Sequence, residues 1–138
     1  MMKPGAALVT GGAVRLGRAM AIALAEDGWD GAVNHVSSSE ESESPAAEIR
    51  AMGRKSVALQ ADLLDEAQTA GLIARAAEAL GQPLTCLINN ASIFEFDDIE
   101  SMTRESWDRA IESNLRAPVK LTQDFAAQAP DVATDAAG

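Results

Sequence analysis

The pattern of apolar and amphipathic segments along the 138 residues predicts an α/β fold built on a doubly wound parallel sheet. Short apolar runs alternate with segments of helical periodicity, and glycines follow the ends of most of those segments. A glycine-rich turn also joins the first apolar run directly to the first helix. Because the order is βαβαβαβα, we expect strand order 3-2-1-4.

The first half of the chain is expected to contain two strands and two helices. Ala6–Val9 is an apolar strand, and residues 18–27 form an amphipathic helix that ends before a glycine. A second apolar strand covers residues 31–36. The second helix then runs to about Met52, where another glycine follows.

The second half of the chain continues the alternation. The third strand covers residues 56–61, and the apolar positions of residues 65–80 recur at helical spacing. The fourth strand, residues 85–89, is apolar throughout most of its length. Residues 103–128 are expected to form one long helix that Pro118 bends.

Length and composition indicate a single globular domain, because 47% hydrophobic content is enough to form a core. We expect this domain over residues 1–128 and a flexible Ala/Asp-rich tail over residues 129–138. The chain has 11 basic and 21 acidic residues, and its net charge of −10 excludes nucleic acid and anionic membranes as partners of the whole chain.

The N-terminal sequence and the single cysteine and histidine limit the possible compartment and the possible kinds of site. We find no secretory signal pattern and no apolar run of transmembrane length, so we expect a cytoplasmic protein. Cys86 is the only cysteine and His35 the only histidine, so we expect neither an internal disulfide nor a metal site. His35 is either a plain strand-end residue or a cofactor ligand.

Four features fall at the carboxyl ends of the predicted strands, where ligands bind in such sheets. They are the glycine-rich turn at residues 10–17, the segment 34–38, Asp62, and the segment 89–92. Glycine-rich turns also occur in ordinary strand-to-helix loops. Here the turn opens a helix, whose free N–H groups and positive dipole favour an anion, and we expect a pyrophosphate.

The end of the second strand predicts the cofactor. An acidic residue there would bind the ribose diol of NAD and repel the extra phosphate of NADP, and this chain has none. His35, Ser37 and Ser38 offer neutral donors, and Arg15 is a nearby cation. We therefore expect NADP(H) to be preferred, with NAD(H) as the alternative, and the domain over residues 1–128 to bind a dinucleotide.

Two motifs resemble those of the short-chain dehydrogenase/reductase family. Thr10, Gly11 and Gly17 match Thr-Gly-x-x-x-Gly-x-Gly, and residues 89–92 approach Asn-Asn-Ala-Gly. Arg15 and Ser92 replace one glycine in each motif, and both replacements resemble the pteridine reductase-like branch. The resemblance spans the whole chain and implies a Rossmann-type sheet and a homo-oligomer formed through the long helix.

The resemblance also implies roles for particular residues. Gly11, Arg15, Leu16 and Gly17 line the pyrophosphate, Asp62 and Leu63 hold the adenine, and Asn90, Ala91 and Ser92 flank the ribose and nicotinamide. Asp62 has a plainer alternative as a cap of the next loop, and Asn89 and Asn90 as residues that tie a turn.

Two further residues match positions near the family's substrate. Asn114 corresponds to a helical asparagine that holds a water in a proton relay, which makes it the catalytic candidate. Its alternative is a hydrogen bond to its own helix. Phe94 resembles an aromatic residue that stacks on a pterin ring, and core packing is the alternative.

The family's proton donor is a tyrosine in a Tyr-x-x-x-Lys motif, and this chain contains no tyrosine. We therefore expect a truncated reductase domain whose apolar fourth strand is an exposed edge. The resemblance implies hydride transfer to a small carbonyl or pterin-like C=N substrate. A non-catalytic NADP-binding module or pseudoenzyme is the alternative, and an interaction domain without a cofactor is a third interpretation.

Overall fold

The computed structural model describes residues 3–37 and 40–131, and in this part of the chain four strands alternate with helices. The strands are β1 (Ala6–Val9), β2 (Asp30–His35), β3 (Ser56–Gln60) and β4 (Leu84–Ile88). The helices are α1 (Arg15–Glu26), α2 (Glu40–Ala51), α3 (Glu66–Leu80), α4 (Arg104–Ile111) and α5 (Ala117–Gln128), with a π-helical turn (Glu112–Arg116) between the last two.

The four strands form one parallel sheet in the order β3-β2-β1-β4, which confirms the predicted fold class and strand order. In the register of β1 with β2, Ala6 is opposite Asp30 and Val9 is opposite Val33. The register of β1 with β4 shifts between Ala6 and Ala7. Since all strands run the same way, the loops that follow them lie along one edge of the sheet.

The core lies on both faces of the sheet. One apolar cluster packs α3 and α5 against the strands, and the other packs α1 and α2 against the opposite face. All four residues of β1 are buried, as expected for a central parallel strand with a covered face on each side. The core therefore fixes β1, and with it the point from which the glycine-rich turn starts.

The first helix begins earlier than expected. We expected a start at residue 18, and α1 begins at Arg15, directly after the extended residue Val14. Arg15 has a φ of +51°, in the left-handed region that most side chains avoid. Hydrophobic periodicity does not reveal such a conformation, so the expected start was wrong by one turn.

The long helix is interrupted rather than bent at Pro118. The regular hydrogen bonding stops in the π-helical turn at Glu112–Arg116, and Pro118 lies in the first turn of α5, where its missing N–H is tolerated. At the other end, Thr103 and Ser106 bond each other's backbone N–H groups and so cap α4.

The strand β4 lies at one edge of the described sheet, as the sequence predicted. Leu84 is buried, and the other four residues of β4 are only half-buried. Partial burial raises the pKa of the Cys86 thiol. The Gln128 side chain ties the end of α5 to this strand, because it accepts from the Leu84 N–H at 2.8 Å and donates to the Leu84 carbonyl at 3.0 Å.

Every helix in residues 3–37 and 40–131 is too short or too polar to cross a lipid bilayer. The predicted tail falls mainly on residues 132–138, which lie outside the described residues.

The core analysis predicts that Ile73→Ala destabilises the fold by about 2–5 kcal/mol, because truncating a buried isoleucine loses apolar burial and leaves a cavity. Ile73 is 2% exposed and belongs to the cluster between α3 and the sheet. Ile99, which is 88% exposed, provides the matched control, and Ile99→Ala should change stability by less than about 0.5 kcal/mol. Urea denaturation measures both, and equal effects would contradict the core described here.

Candidate functional site

The candidate site is built around Thr10, the residue that follows β1. Its side chain is buried, and its hydroxyl accepts hydrogen bonds from the N–H groups of Asn90 and Ala91, each at 3.0 Å. The same hydroxyl donates to the Ile88 carbonyl at 3.4 Å. One side chain therefore holds the loop after β1 against the loop after β4.

The Asn90 amide strengthens this connection. Its Nδ2 donates to the carbonyl of Thr10 at 3.0 Å and to that of Gly11 at 3.2 Å. Asn89 donates instead to the Thr122 hydroxyl at 3.3 Å. Asn90 thus ties the backbone of the turn, as its plainer alternative stated, whereas Asn89 ties the loop after β4 to α5.

The glycines of the turn allow close packing. A Cβ on Gly17 would lie 2.2 Å from the Gly11 carbonyl oxygen and 2.5 Å from Asn90 Nδ2. Gly11 has a φ of +58°, and a Cβ there would lie 3.0 Å from the Ala91 Cα. A side chain at either position would push apart the two loops that Thr10 joins, so the turn depends on glycine.

The N-terminus of α1 differs from those of α3 and α4. The side chains of Asp65 and Thr103 cap those two helices, whereas the N-cap of α1 is Val14, which makes no capping hydrogen bond. The N–H groups in the first turn of a helix have no partner within the helix. The apolar cap leaves those of α1 available to a ligand, next to the guanidinium-bearing residue Arg15.

A cavity of about 520 Å³ opens at this helix end. The residues that line it come from the loops after β1, β2 and β4: Gly11, Val14, Arg15, Leu16, Gly17, Val36, Asn90, Ala91 and Ser92. Seven of the fourteen site residues named from the sequence are therefore brought together, although they come from segments far apart in the chain. The sequence analysis did not name Val14 and Val36, which give the cavity an apolar wall. Single apolar residues in loops form no periodic pattern that would have identified them.

A second cavity, of about 270 Å³, lies against the same turn. Its lining includes Arg15, Arg18 and Ser44, and Arg18 also forms an ion pair with Glu48 of α2. Because Arg15 contributes to both cavities, it marks the boundary between them. The acidic chain thus has two arginines concentrated at one helix end.

The remaining residues after β2 do not line the larger cavity. The His35 Nδ1 donates to the Ser37 carbonyl, which places the ring proton on that nitrogen. Val36 is the residue of this segment that reaches the cavity. Ser38 lies outside the described residues.

The loop after β3 is held by its own side chains. Asp62 Oδ1 accepts from the Leu64 N–H at 2.9 Å, and the Asp62 N–H donates to Gln68 Oε1 at 2.8 Å. This is the loop-capping geometry that was the alternative for Asp62. Leu63 is buried in the core.

Asn114 lies in the π-helical turn and reaches across to the loop after β4. Its Oδ1 accepts from the Ile93 N–H and its Nδ2 donates to the Ile93 carbonyl, both at 2.9 Å. The alternative of a hydrogen bond to its own helix is therefore wrong. Phe94, which follows Ile93, is 88% exposed, so the core-packing alternative for its ring is also wrong.

The exposed loop beyond Phe94 is organised by charge. A hydrogen bond from Ser101 is the main cause that lowers the pKa of Asp98, and the Arg109 hydrogen bond lowers that of Glu95. Both carboxylates are thus held ionised by local partners. Among the described residues, no three His, Cys, Asp or Glu side chains are placed to hold a metal ion.

Comparison with known proteins shows which proteins this chain is similar to. A 3-oxoacyl-[acyl-carrier-protein] reductase, FabG, from Staphylococcus aureus is 36% identical over 117 residues, which are 85% of this chain and 47% of that protein. The chain spans about half the length of the curated relatives it matches.

Two solved structures are similar in fold and in sequence. A blue fluorescent protein from a metagenomic library, in complex with NADPH, has a TM-score of 0.87 and 36% identity, over 92% of this chain and 52% of that one. FolM alternative dihydrofolate reductase 1 from Brucella canis, complexed with NADP, has a TM-score of 0.86 and 32% identity, over 94% and 52%.

The family model described as short chain dehydrogenase matches residues 5–133, nearly the whole chain. This match confirms the resemblance inferred from the two motifs, and the relatives named above include reductases. The chain therefore belongs to the short-chain dehydrogenase family of oxidoreductases.

Proposed function

We propose that residues 1–128 form the cofactor-binding domain of an NADP(H)-dependent oxidoreductase that acts on a small carbonyl or pterin-like C=N substrate. The observation that carries the proposal is the uncapped N-terminus of α1, which opens on the 520 Å³ cavity beside a turn that only glycine fits. The reductase would act in the cytoplasm. Its acidic net charge does not exclude an anionic cofactor, because Arg15 and Arg18 lie at the site itself.

The pyrophosphate would lie at this helix end, against Gly11, Arg15, Leu16 and Gly17. The first N–H groups of α1 donate to its oxygens, and the positive end of the helix dipole stabilises its charge. Gly17 supports the assignment, because a side chain at that position would fill the space beside the turn.

The 2′-phosphate of NADP would bind where Arg15 separates the two cavities. Arg15 and Arg18 both line the smaller cavity, and charge-assisted hydrogen bonds to phosphate are stronger than neutral ones. The end of β2 carries the neutral residues His35, Ser37 and Ser38 instead of an acid. The NADPH and NADP complexes of the two neighbouring structures support the same preference.

The other half of the cofactor would extend toward the loop after β4. Asn90, Ala91 and Ser92 line the cavity there and would flank the ribose and nicotinamide. The adenine would lie at Asp62 and Leu63, and the Asp62 carboxylate retains acceptor sites beyond its bond to Leu64. The bound cofactor would supply the hydride.

The substrate would approach past Phe94, whose exposed ring offers a stacking surface. Asn114 holds the backbone of Ile93, the residue that precedes Phe94. Pro118 has no N–H, so it cannot donate to the Asn114 carbonyl four residues earlier, as a regular α-helix would require. That carbonyl is thus suited to hold the relay water. The proton donor itself is not a tyrosine of this chain.

Oligomerisation would use an apolar stripe on the interrupted helix. Trp107, Ile111, Leu115 and Val119 are exposed at four-residue intervals along α4, the π-helical turn and α5. A π-helical turn takes more residues per turn than an α-helix, which keeps side chains four apart more nearly on one face. We propose that a second copy of the chain covers this stripe.

The cofactor preference can be tested with Arg15→Gly. Loss of the guanidinium should raise the Kd for NADPH by about tenfold, because a charge-assisted hydrogen bond contributes about 1.5–3 kcal/mol. The Kd for NADH should rise by a smaller factor, because NADH shares the pyrophosphate beside Arg15 but has no 2′-phosphate. Glycine tolerates the φ of +51°, so stability should not fall. Calorimetric titration gives both constants, and an equal loss for NADPH and NADH would contradict the assignment.

The turn itself can be tested with a pair of glycine variants. Gly17→Ala should abolish NADPH binding and lower the melting temperature, because its Cβ overlaps the Gly11 carbonyl. Gly71→Ala is the control, since only the Arg75 side chain lies near its Cβ, at 4.0 Å, within α3. That change should leave binding intact and add about 0.5–1 kcal/mol of stability. Normal NADPH binding by Gly17→Ala would refute the proposed pyrophosphate site.

The stripe predicts a concentration-dependent oligomer that Leu115→Lys disrupts, because a charge would be buried in the interface. Met52→Lys introduces the same charge at an exposed apolar residue at the end of α2, away from the stripe, and should leave assembly unchanged. Sedimentation velocity over a range of concentrations measures both. A wild-type chain that stays monomeric throughout would show that this face is not a self-association surface.

A further inference from the structure

Asn34 is a polar residue in the middle of the predicted cofactor edge, and neither cavity is lined by it. It is 1% exposed and lies in β2, next to the buried apolar residue Val33. Burying an amide costs free energy unless its hydrogen-bonding groups find partners. The partners of Asn34 therefore indicate what its burial accomplishes.

The two ends of the Asn34 amide contact two different loops. Its Oδ1 accepts from the Gly11 N–H at 3.2 Å, in the glycine-rich turn after β1. Its Nδ2 donates to the carbonyls of Leu59 at 3.3 Å and Ala61 at 3.2 Å, at the end of β3. The backbone carbonyl of Asn34 also accepts from the Gly12 N–H at 3.0 Å.

These contacts join the two halves of the proposed cofactor site. Gly11 lies in the turn assigned to the pyrophosphate, and Ala61 immediately precedes Asp62, which is assigned to the adenine. A shift of the β3 end would move the Asn34 amide and, through its Oδ1, the Gly11 N–H. An apolar residue at this position would fill the space without transmitting such a shift.

We propose that Asn34 is a positioning residue that couples the adenine loop to the pyrophosphate turn, so that occupation of one half of the site favours binding at the other. This inference rests on the proposed NADP(H) site. It assigns to Asn34 a role in the affinity for the whole dinucleotide, separate from its contribution to folding.

The test compares a ligand that spans both loops with one that contacts only the adenine loop. NADPH is the spanning ligand, and adenosine, which carries neither the pyrophosphate nor the 2′-phosphate, is the short one. Asn34→Leu removes both hydrogen-bonding ends at similar volume, and Asn34→Asp keeps an acceptor for Gly11 but loses the donor to Leu59 and Ala61. Thr69→Val is the control, because Thr69 is equally buried and its hydroxyl bonds only within the start of α3, to the Asp65 carbonyl.

We expect both Asn34 variants to weaken NADPH binding by about tenfold more than they weaken adenosine binding, a factor typical of coupling between sites. A purely structural role would lower both affinities by the same factor, as we expect for Thr69→Val. Equal losses in the Asn34 variants would therefore overturn the inference. If Asn34→Leu does not fold, the comparison rests on Asn34→Asp.

Hydrogen exchange gives a second readout that destabilisation alone does not produce. In the wild-type chain, adenosine should slow exchange of the Gly11 N–H, although this ligand has no phosphate to reach the turn. The same ligand should leave Gly11 exchange unchanged in Asn34→Asp. Wild-type protein that fails to bind NADPH would overturn the proposed function itself, whereas normal NADPH binding without the Gly11 effect would overturn only the coupling.

Discussion

The hydroxyl of Thr10 is the contact on which the rest of the site depends. By accepting from Asn90 and Ala91 and donating to Ile88, it fixes the loop after β4 against the turn after β1. With those loops fixed, the distance between Gly11 and Gly17 is too small for a side chain. The uncapped end of α1 then faces a cavity whose walls after β1 and β4 are held together by part-buried hydrogen bonds.

The parallel sheet fixes the positions of the loops that form this site. Since β1 is buried on both faces, its carboxyl end cannot move without disturbing two apolar clusters. The start of the turn is therefore fixed by the core, although Val14, Arg15 and Leu16 within the turn are exposed. The same frame places Asn34 of β2 between the turn after β1 and the end of β3, and its amide forms hydrogen bonds to both.

Sequence patterns predicted the parts of the molecule that depend on local periodicity. Alternating apolar runs were enough for the strand order, and the glycine spacing marked the turn. The start of α1 and the π-helical turn were missed, because a positive φ at Arg15 and one extra residue near Asn114 leave the hydrophobic pattern almost unchanged. The partners of Asn34, 23 to 27 residues away, depend on strand register, which composition does not specify.

The charge distribution explains how such an acidic chain could accept an anionic cofactor. A net charge of −10 opposes the approach of NADPH at long range, but repulsion between exposed charges is screened beyond about 8–10 Å at physiological salt. Within that distance the helix N–H groups, Arg15 and Arg18 dominate the local potential. Because Glu48 pairs with Arg18, the acidic residues of α2 also hold one of these cations in place. Affinity would thus come from short-range donors fixed by the fold, while the overall charge would mainly limit non-specific binding of other anions.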